Sequence, residues 1–253
     1  MSKLSDAIRK TTRPILSPIG FQPGAARKPV PTLLLVATLR SGSEADARRV
    51  ASAGVDCLLL APEEAWGEAL VVAAKAVGDM PVGLWLRNAD PDAVKSAREA
   101  GIDYLVFSDE NTKAEVLIDE KLGFVLSLAE GEDDTMLRSL GTLSLDAMLV
   151  SYWEGELTVR RALELRRLAA LSQKPLMLSV STDVGAGELE ALRDAGVTAV
   201  IVDGERTAED DLKRLRETIM ALPPRRKRRE ERPEVSITAP AGNSHDHDDH
   251  DDD

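Results

Sequence analysis

Two arginines and four carboxylates carry most of the chemistry this sequence can offer. Each follows a short apolar run. Arg40 closes Thr32-Leu-Leu-Leu-Val-Ala-Thr-Leu39, and Arg87 closes Val82-Gly-Leu-Trp-Leu86. Asp109, Glu130, Glu154 and Asp183 lie just beyond four later runs of the same kind. A guanidinium recognises carboxylate or phosphate through paired hydrogen bonds. A carboxylate can serve as a base or hold a hard divalent ion, and an all-oxygen set favours magnesium or manganese over zinc. The pattern therefore points to a small anionic molecule held by Arg40 and Arg87. Asp109, Glu154 or Asp183 would be its base, and Glu130, Glu154 and Asp183 are candidate metal ligands. The plainer alternative is a solvated rim in which these charges pair with one another.

What is missing narrows the chemistry. All three histidines, His245, His247 and His250, fall in the last nine residues, His245 to Asp253. The apolar-run region thus has no imidazole for Ser-His-Asp or Cys-His catalysis or for a zinc site. No apolar run contains a lysine, and Lys174 precedes its run, which argues against Schiff-base chemistry. The single cysteine, Cys57, sits early in an apolar run without a histidine partner and reads as a core residue.

These residues must be positioned by something regular, and the chain shows it in a repeat. Ala51-Ser-Ala-Gly-Val-Asp-Cys-Leu-Leu-Leu60 returns as Arg98-Glu-Ala-Gly-Ile-Asp-Tyr-Leu-Val-Phe107. It returns again as Arg193-Asp-Ala-Gly-Val-Thr-Ala-Val-Ile-Val202. Each copy is a helix end, a glycine stop and a buried strand. The glycines at 54, 101 and 196 are 47 and 95 residues apart, so one copy-length is skipped between the last two. A unit of two strands and two helices fits that spacing, and four units make a closed (β/α)8 TIM barrel, an α/β fold. A doubly wound open sheet is the structural alternative.

Eight strands are expected, at 32–39, 56–61, 81–86, 103–107, 123–128, 146–151, 175–181 and 198–202. Helices lie between and after them, including one at Lys113–Glu120. The domain plan is an N-terminal extended leader over 1–31, the barrel over 32–224 and a disordered charged tail over 225–253. The leader carries Pro14, Pro18, Pro23, Pro29 and Pro31, with room for a turn or two of helix at Ser5–Lys10. Its Ile15, Leu16, Ile19 and Phe21 should pack across the bottom of the barrel, with contact to a second subunit as the alternative.

Length and composition agree with one such barrel. The chain has 253 residues, 43% of them hydrophobic but only 3% aromatic, so the core must be built from Leu, Val, Ala and Ile. The formal charge of −12, to which the last nine residues contribute six aspartates, speaks of solubility. No apolar run approaches the roughly 18 residues of a membrane span, and a lone cysteine without a secretory signal suggests the cytoplasm. The basic run Arg225–Arg229 has no aromatic interleaving and is followed by acids, which argues against nucleic acid. The terminal His/Asp tract could hold zinc, nickel or copper loosely, but a solubilising tail is simpler.

In such barrels the site lies at the carboxyl ends of the strands. Strand alternation places Gly83, Trp85 and Arg87 on one face, opposite Val82, Leu84 and Leu86. Trp85 and Arg87 should then look inward, as should Val36, Thr38 and Arg40, and Met177, Ser179, Ser181 and Asp183. Strands four and six leave their parity open. Trp85 and Ser181 join Arg40 and Arg87 as substrate-contacting candidates.

The cadence Ala-Gly-(Val/Ile)-Asp-x-Leu resembles the phosphate-binding barrels, above all thiamine-phosphate synthase-like and tryptophan-biosynthesis-like ones, with flavin-binding nitronate-oxidising barrels behind them. That resemblance covers residues 32–222 in rhythm and implies glycine-rich phosphate turns after strands seven and eight. The matching stretches are Ser181-Thr-Asp-Val-Gly-Ala-Gly187 and Asp203-Gly-Glu-Arg-Thr207, so Gly185, Gly187 and Gly204 are the implied cofactor contacts. Asp183, Glu188, Asp203 and Glu205 depart from the pattern, since a phosphate or flavin phosphate there would need Arg206 or a metal to offset them. The function expected from these readings is a lyase or isomerase acting on an anionic metabolite. The competing reading is a barrel that has lost catalysis and serves as a binding or assembly subunit, for example in a homo-oligomer.

Overall fold

A glycine that stops a helix must turn the chain where other residues are strained. Gly54, Gly101 and Gly196 do so with φ of +84°, +89° and +110°, one residue past the caps of the preceding helices. Each releases the chain into a strand. The strands are β1 (Leu34–Leu39), β2 (Cys57–Leu60), β3 (Val82–Leu86), β4 (Tyr104–Phe107), β5 (Gly123–Leu128), β6 (Ala147–Val150), β7 (Leu176–Ser179) and β8 (Val197–Asp203). All neighbours pair parallel, and β8 pairs back onto β1 in register Val36↔Ile201, so the sheet is a closed barrel in chain order. Closure excludes the open doubly wound sheet. This computed structural model describes residues 2–12, 30–63, 67–129, 131–150 and 155–224.

Helices α1 (Lys3–Thr12), α2 (Glu44–Ser52), α3 (Glu68–Ala76), α4 (Pro91–Glu99), α5 (Asp134–Gly141), α6 (Val159–Ser172), α7 (Ala186–Asp194) and α8 (Glu209–Ala221) complete the described elements, with one 3-10 turn. That turn, Ala114–Ile118, stands where an α-helix over Lys113–Glu120 is expected. It has no side-chain cap and buries only Val116, too little to hold a longer helix before the chain enters β5.

Two apolar layers follow from strand alternation. The outward layer packs strands against helices and includes Val82, Leu84 and Leu86 of β3. The inward layer fills the barrel with Leu34, Val36, Leu59, Val106, Val125, Leu149, Met177 and Ile201, among others, with Trp85 packed against it. Strand parity left open by the sequence is settled here, since Tyr104 and Val106 of β4 and Ala147 and Leu149 of β6 face in. Tyr104 is fully buried, and its hydroxyl donates to the Leu58 carbonyl at 3.0 Å. Its ring lies over Gly83, where any Cβ would collide with it. Gly83→Ala should therefore cost about 1–3 kcal/mol through overpacking, readable as a lowered urea midpoint.

α1 closes the bottom of the barrel. Leu4 and Ile8, four apart and on one face, are 0% and 4% exposed within the inward layer. Asp103 accepts the Lys3 and Leu4 amides at 2.7 and 2.9 Å, which caps the helix start. The Ser5 hydroxyl donates to Asp146.

The repeat aspartates thus have a mechanical role. Asp56 opens β2 and accepts the Leu35 amide of β1 at 2.9 Å. Asp146 opens β6 and accepts the Phe124 amide of β5 at 2.9 Å. In the third sequence copy Thr198 replaces aspartate, and its hydroxyl donates to the Leu176 carbonyl of β7 at 3.1 Å. Ser144-Leu-Asp-Ala-Met-Leu-Val150 is the skipped copy, with serine in place of glycine. The repeat marks the even-numbered strands, and its polar residue ties three of them back to the strand before.

No helix among the described residues is long and apolar enough to cross a membrane.

Candidate functional site

Among the described residues the barrel interior contributes no charged group. Burial pushes the Cys57 thiol far above its usual range and the Tyr104 phenol well above its own, so both stay neutral. Any polar chemistry must come from the mouth, where the inward faces end in Thr38, Trp85, Ser127, Ser179 and Asp203, all half-buried.

The best-defined geometry lies between β8 and β1. Asp203 ends β8, and its Oδ1 accepts the amides of Glu205 and Arg206, both at 3.1 Å. Its Oδ2 lies 3.5 Å from an Arg40 nitrogen and 3.7 Å from Arg206 Nε. Glu205 Oε1 accepts the Arg40 and Ser41 amides at 2.8 and 2.6 Å. Burial works against charge on Glu205, but hydrogen bonds from the Ser41 amide and side chain and from the Arg40 amide outweigh it and hold the carboxyl below its usual value. The loop itself is fixed from α2. Arg49 donates to the Gly204 and Thr207 carbonyls at 2.6 and 2.7 Å, and the Gly204 amide donates to the Thr38 carbonyl at 2.9 Å. A cleft of about 510 Å³ opens beside this corner, lined by Arg40, Ser41, Glu63, Gly67, Glu205 and Arg206 among others.

The remaining candidates are spread around the rim. Trp85 is half-buried, a lid on the apolar filling. Arg87 is exposed past β3, and its carbonyl accepts the Ser108 hydroxyl at 3.3 Å. Asp109 is exposed on the next loop. Ser181 and Asp183 line a separate cleft of about 230 Å³ with Ser179, Glu156 and Glu188. Gly185 is the N-cap of α7 and has no side-chain capping bond, and Gly187 lies in the first turn. Gly204 is buried, where an added Cβ would stand 3.1 Å from both the Ala37 Cβ and the Thr38 carbonyl oxygen. Glu130 and Glu154 lie outside the described residues, as do Ile15, Leu16, Ile19 and Phe21 of the leader and the whole 225–253 tail. Among the described residues no group of three or more His, Cys, Asp or Glu could hold a metal ion. Sequence reasoning flagged Asp203, Glu205 and Arg206 as an unusual charge crowd but missed Arg49, whose spacing from Asp46 looks like an ordinary surface pair.

No known protein-family pattern matches the chain, and no curated protein matches it significantly. Solved structures do share its fold. Thiamine phosphate pyrophosphorylase from Pyrococcus furiosus aligns at a TM-score of 0.57 and 15% identity, over 74% of this chain and 95% of that one. A mutant tryptophan synthase α-subunit from the same organism aligns at 0.57 and 14%, over 75% and 96%. KGPDC from Streptococcus mutans aligns at 0.60 and 10%, over 75% and 98%. The first two are of the kinds that the repeat's cadence resembles, and the fold likeness bears that resemblance out. Identity this low establishes the barrel and carries no residue roles with it.

Proposed function

We propose that this barrel binds a small anionic metabolite at its mouth and acts on it as a lyase or isomerase. The observation that carries the reading is that two arginines, Arg40 just after β1 and Arg87 just after β3, stand at the mouth of a barrel whose interior is apolar. Arg40 and Arg87 bind the anion, Trp85 and Ser181 border it, and Asp109, Asp183 or Glu154 supplies the base. The name of one structural neighbour, thiamine phosphate pyrophosphorylase, favours a phosphorylated small molecule as the class to try first. A magnesium or manganese ion would need Glu130 and Glu154 beside Asp183, because no described cluster suffices alone. A flavin or phosphate on Gly185 and Gly187 would meet Asp183, Glu156 and Glu188 in the same cleft, which disfavours it. The fitting compartment is the cytoplasm, with no membrane or nucleic-acid partner.

Two observations favour a second reading, a non-catalytic binding or assembly subunit. The amides of the β8–β1 corner are already filled by this chain's own Asp203 and Glu205. Val159 and Leu163 on α6 are also exposed, at 78% and 58%, which would suit a subunit contact.

Arg87→Ala separates the two. A metabolite-binding mouth should lose at least about tenfold in affinity, the usual worth of a hydrogen bond to a charged group, in a titration of phosphorylated metabolites and dicarboxylates. An assembly subunit would show no saturable binding in either protein, and a stability change within about 0.5 kcal/mol.

A further inference from the structure

The Arg40–Ser41 turn presents two backbone N–H groups to a single oxygen, Glu205 Oε1. Paired amides of this kind make an anion cradle. A carboxylate of the chain's own fills it, facing a cleft of about 510 Å³. We propose that Glu205 is an exchangeable occupant, and that the anionic group of the ligand takes its place on the Arg40 and Ser41 amides. The inference rests on the reading that the mouth takes an anionic metabolite, and it specifies where the charged end goes and what it must displace.

Three features argue for exchange over a permanent staple. First, the loop does not depend on the Glu205 side chain. Arg49 holds the Gly204 and Thr207 carbonyls, Asp203 holds the Glu205 and Arg206 amides, and Gly204 bonds Thr38. Glu205 can leave while the β8–α8 connection stays in place. Second, the Glu205 carboxylate is held by one turn only, through the Arg40 and Ser41 amides on Oε1 and the Ser41 side chain. Third, the two guanidiniums at the cleft are under-used. Arg40 and Arg206 reach Asp203 only at 3.5 and 3.7 Å, and the Arg206 side chain is 81% exposed.

Charge selects the ligand class. A monocarboxylate would only replace Glu205 like for like. A dianionic group, such as a phosphate monoester, brings a second charge to Arg40 and Arg206 and offers more than one oxygen to fork-shaped donors. The site lies between the loops after β8 and β1, away from the glycine-bearing turn after β7.

Inorganic phosphate, titrated calorimetrically into the full chain, tests this. If Glu205 occupies the cradle for about 90–99% of the time, removing it should tighten binding about 10–100-fold. Glu205→Ala should show that gain, and Arg206→Ala placed on top should reverse most of it. Glu205→Gln keeps an acceptor on the amides without the charge, and it should bind more tightly than wild type but less tightly than the alanine variant. It also preserves the test should the alanine protein fail to fold. Unchanged or weaker phosphate binding in the folded variants would overturn the proposal. Arg87→Ala distinguishes this from the broader reading. Tighter phosphate binding by Glu205→Ala with no metabolite bound by wild type would sink the metabolite reading alone. An Arg87-dependent metabolite whose affinity ignores Glu205 would sink the exchange alone.

Discussion

Replacing Arg216 with methionine is expected to cost about 3 kcal/mol at neutral pH, the scale of breaking a largely buried ion pair from one side. Asp56 opens β2 at the bottom of the barrel, and Arg216 of α8 donates to its Oδ2 at 2.5 Å. The two side chains are only 16% and 22% exposed. Methionine keeps the aliphatic stem that packs there and removes only the charge. Asp56 would then retain the Leu35 amide as its partner. The pH dependence follows from the sign of its shift. Burial raises the Asp56 carboxyl above 3.8, and Arg216 and the Leu35 amide pull it back only in part. The folded chain thus keeps this proton to higher pH than the unfolded chain, so the group's contribution falls as pH rises from 3.8 through the folded value. Without Arg216 the folded value climbs further, and the variant's deficit should shrink on acidification. Urea unfolding of both proteins at about pH 7 and about pH 5 measures it, and a deficit equal at both values would show that an unpaired Asp56 charge is not its source.

Leu4→Ala is expected to destabilise the barrel by about 2–5 kcal/mol, the range for emptying a buried leucine site. Leu4 is fully buried among inward residues although it lies close to the start of the sequence. Residues near a terminus usually tolerate truncation because nothing packs on them. Here the opposite should hold, because the α1 start is fixed by Asp103 and its apolar face seals the inward layer. The check is thermal unfolding beside Lys10→Ala on the exposed side of the same helix, which should stay within about 0.5 kcal/mol. A tolerant Leu4 would mean that α1 is not part of the cooperative core.

These two sites show what could and could not be read from residues alone. The glycine stops, the apolar runs and their spacing specify a barrel because helix termination and strand burial are local, periodic demands. The inward set on β3 was legible for the same reason, since Val82, Leu84 and Leu86 could face only the helices. The fourth copy is hard to see in the sequence because Ser144 stands where glycine marks the others, although Leu145-Asp-Ala-Met-Leu-Val150 keeps the rest. The partners of Asp103 and Arg49 were beyond reach. Asp103 meets α1 across about one hundred residues, and Arg49 meets the Gly204 carbonyl across 155, and neither contact leaves a local pattern. The mouth charges were legible as a crowd, but not as a turn already occupied by Glu205.

The most direct measurement is native mass spectrometry of the full chain, purified without added ligand and then titrated with phosphorylated metabolites and dicarboxylates. The account predicts a saturable, stoichiometric mass shift from one small anionic compound, absent when Arg40 and Arg87 are both alanine. An unliganded mass at every concentration, or a shift that survives loss of both arginines, would contradict it.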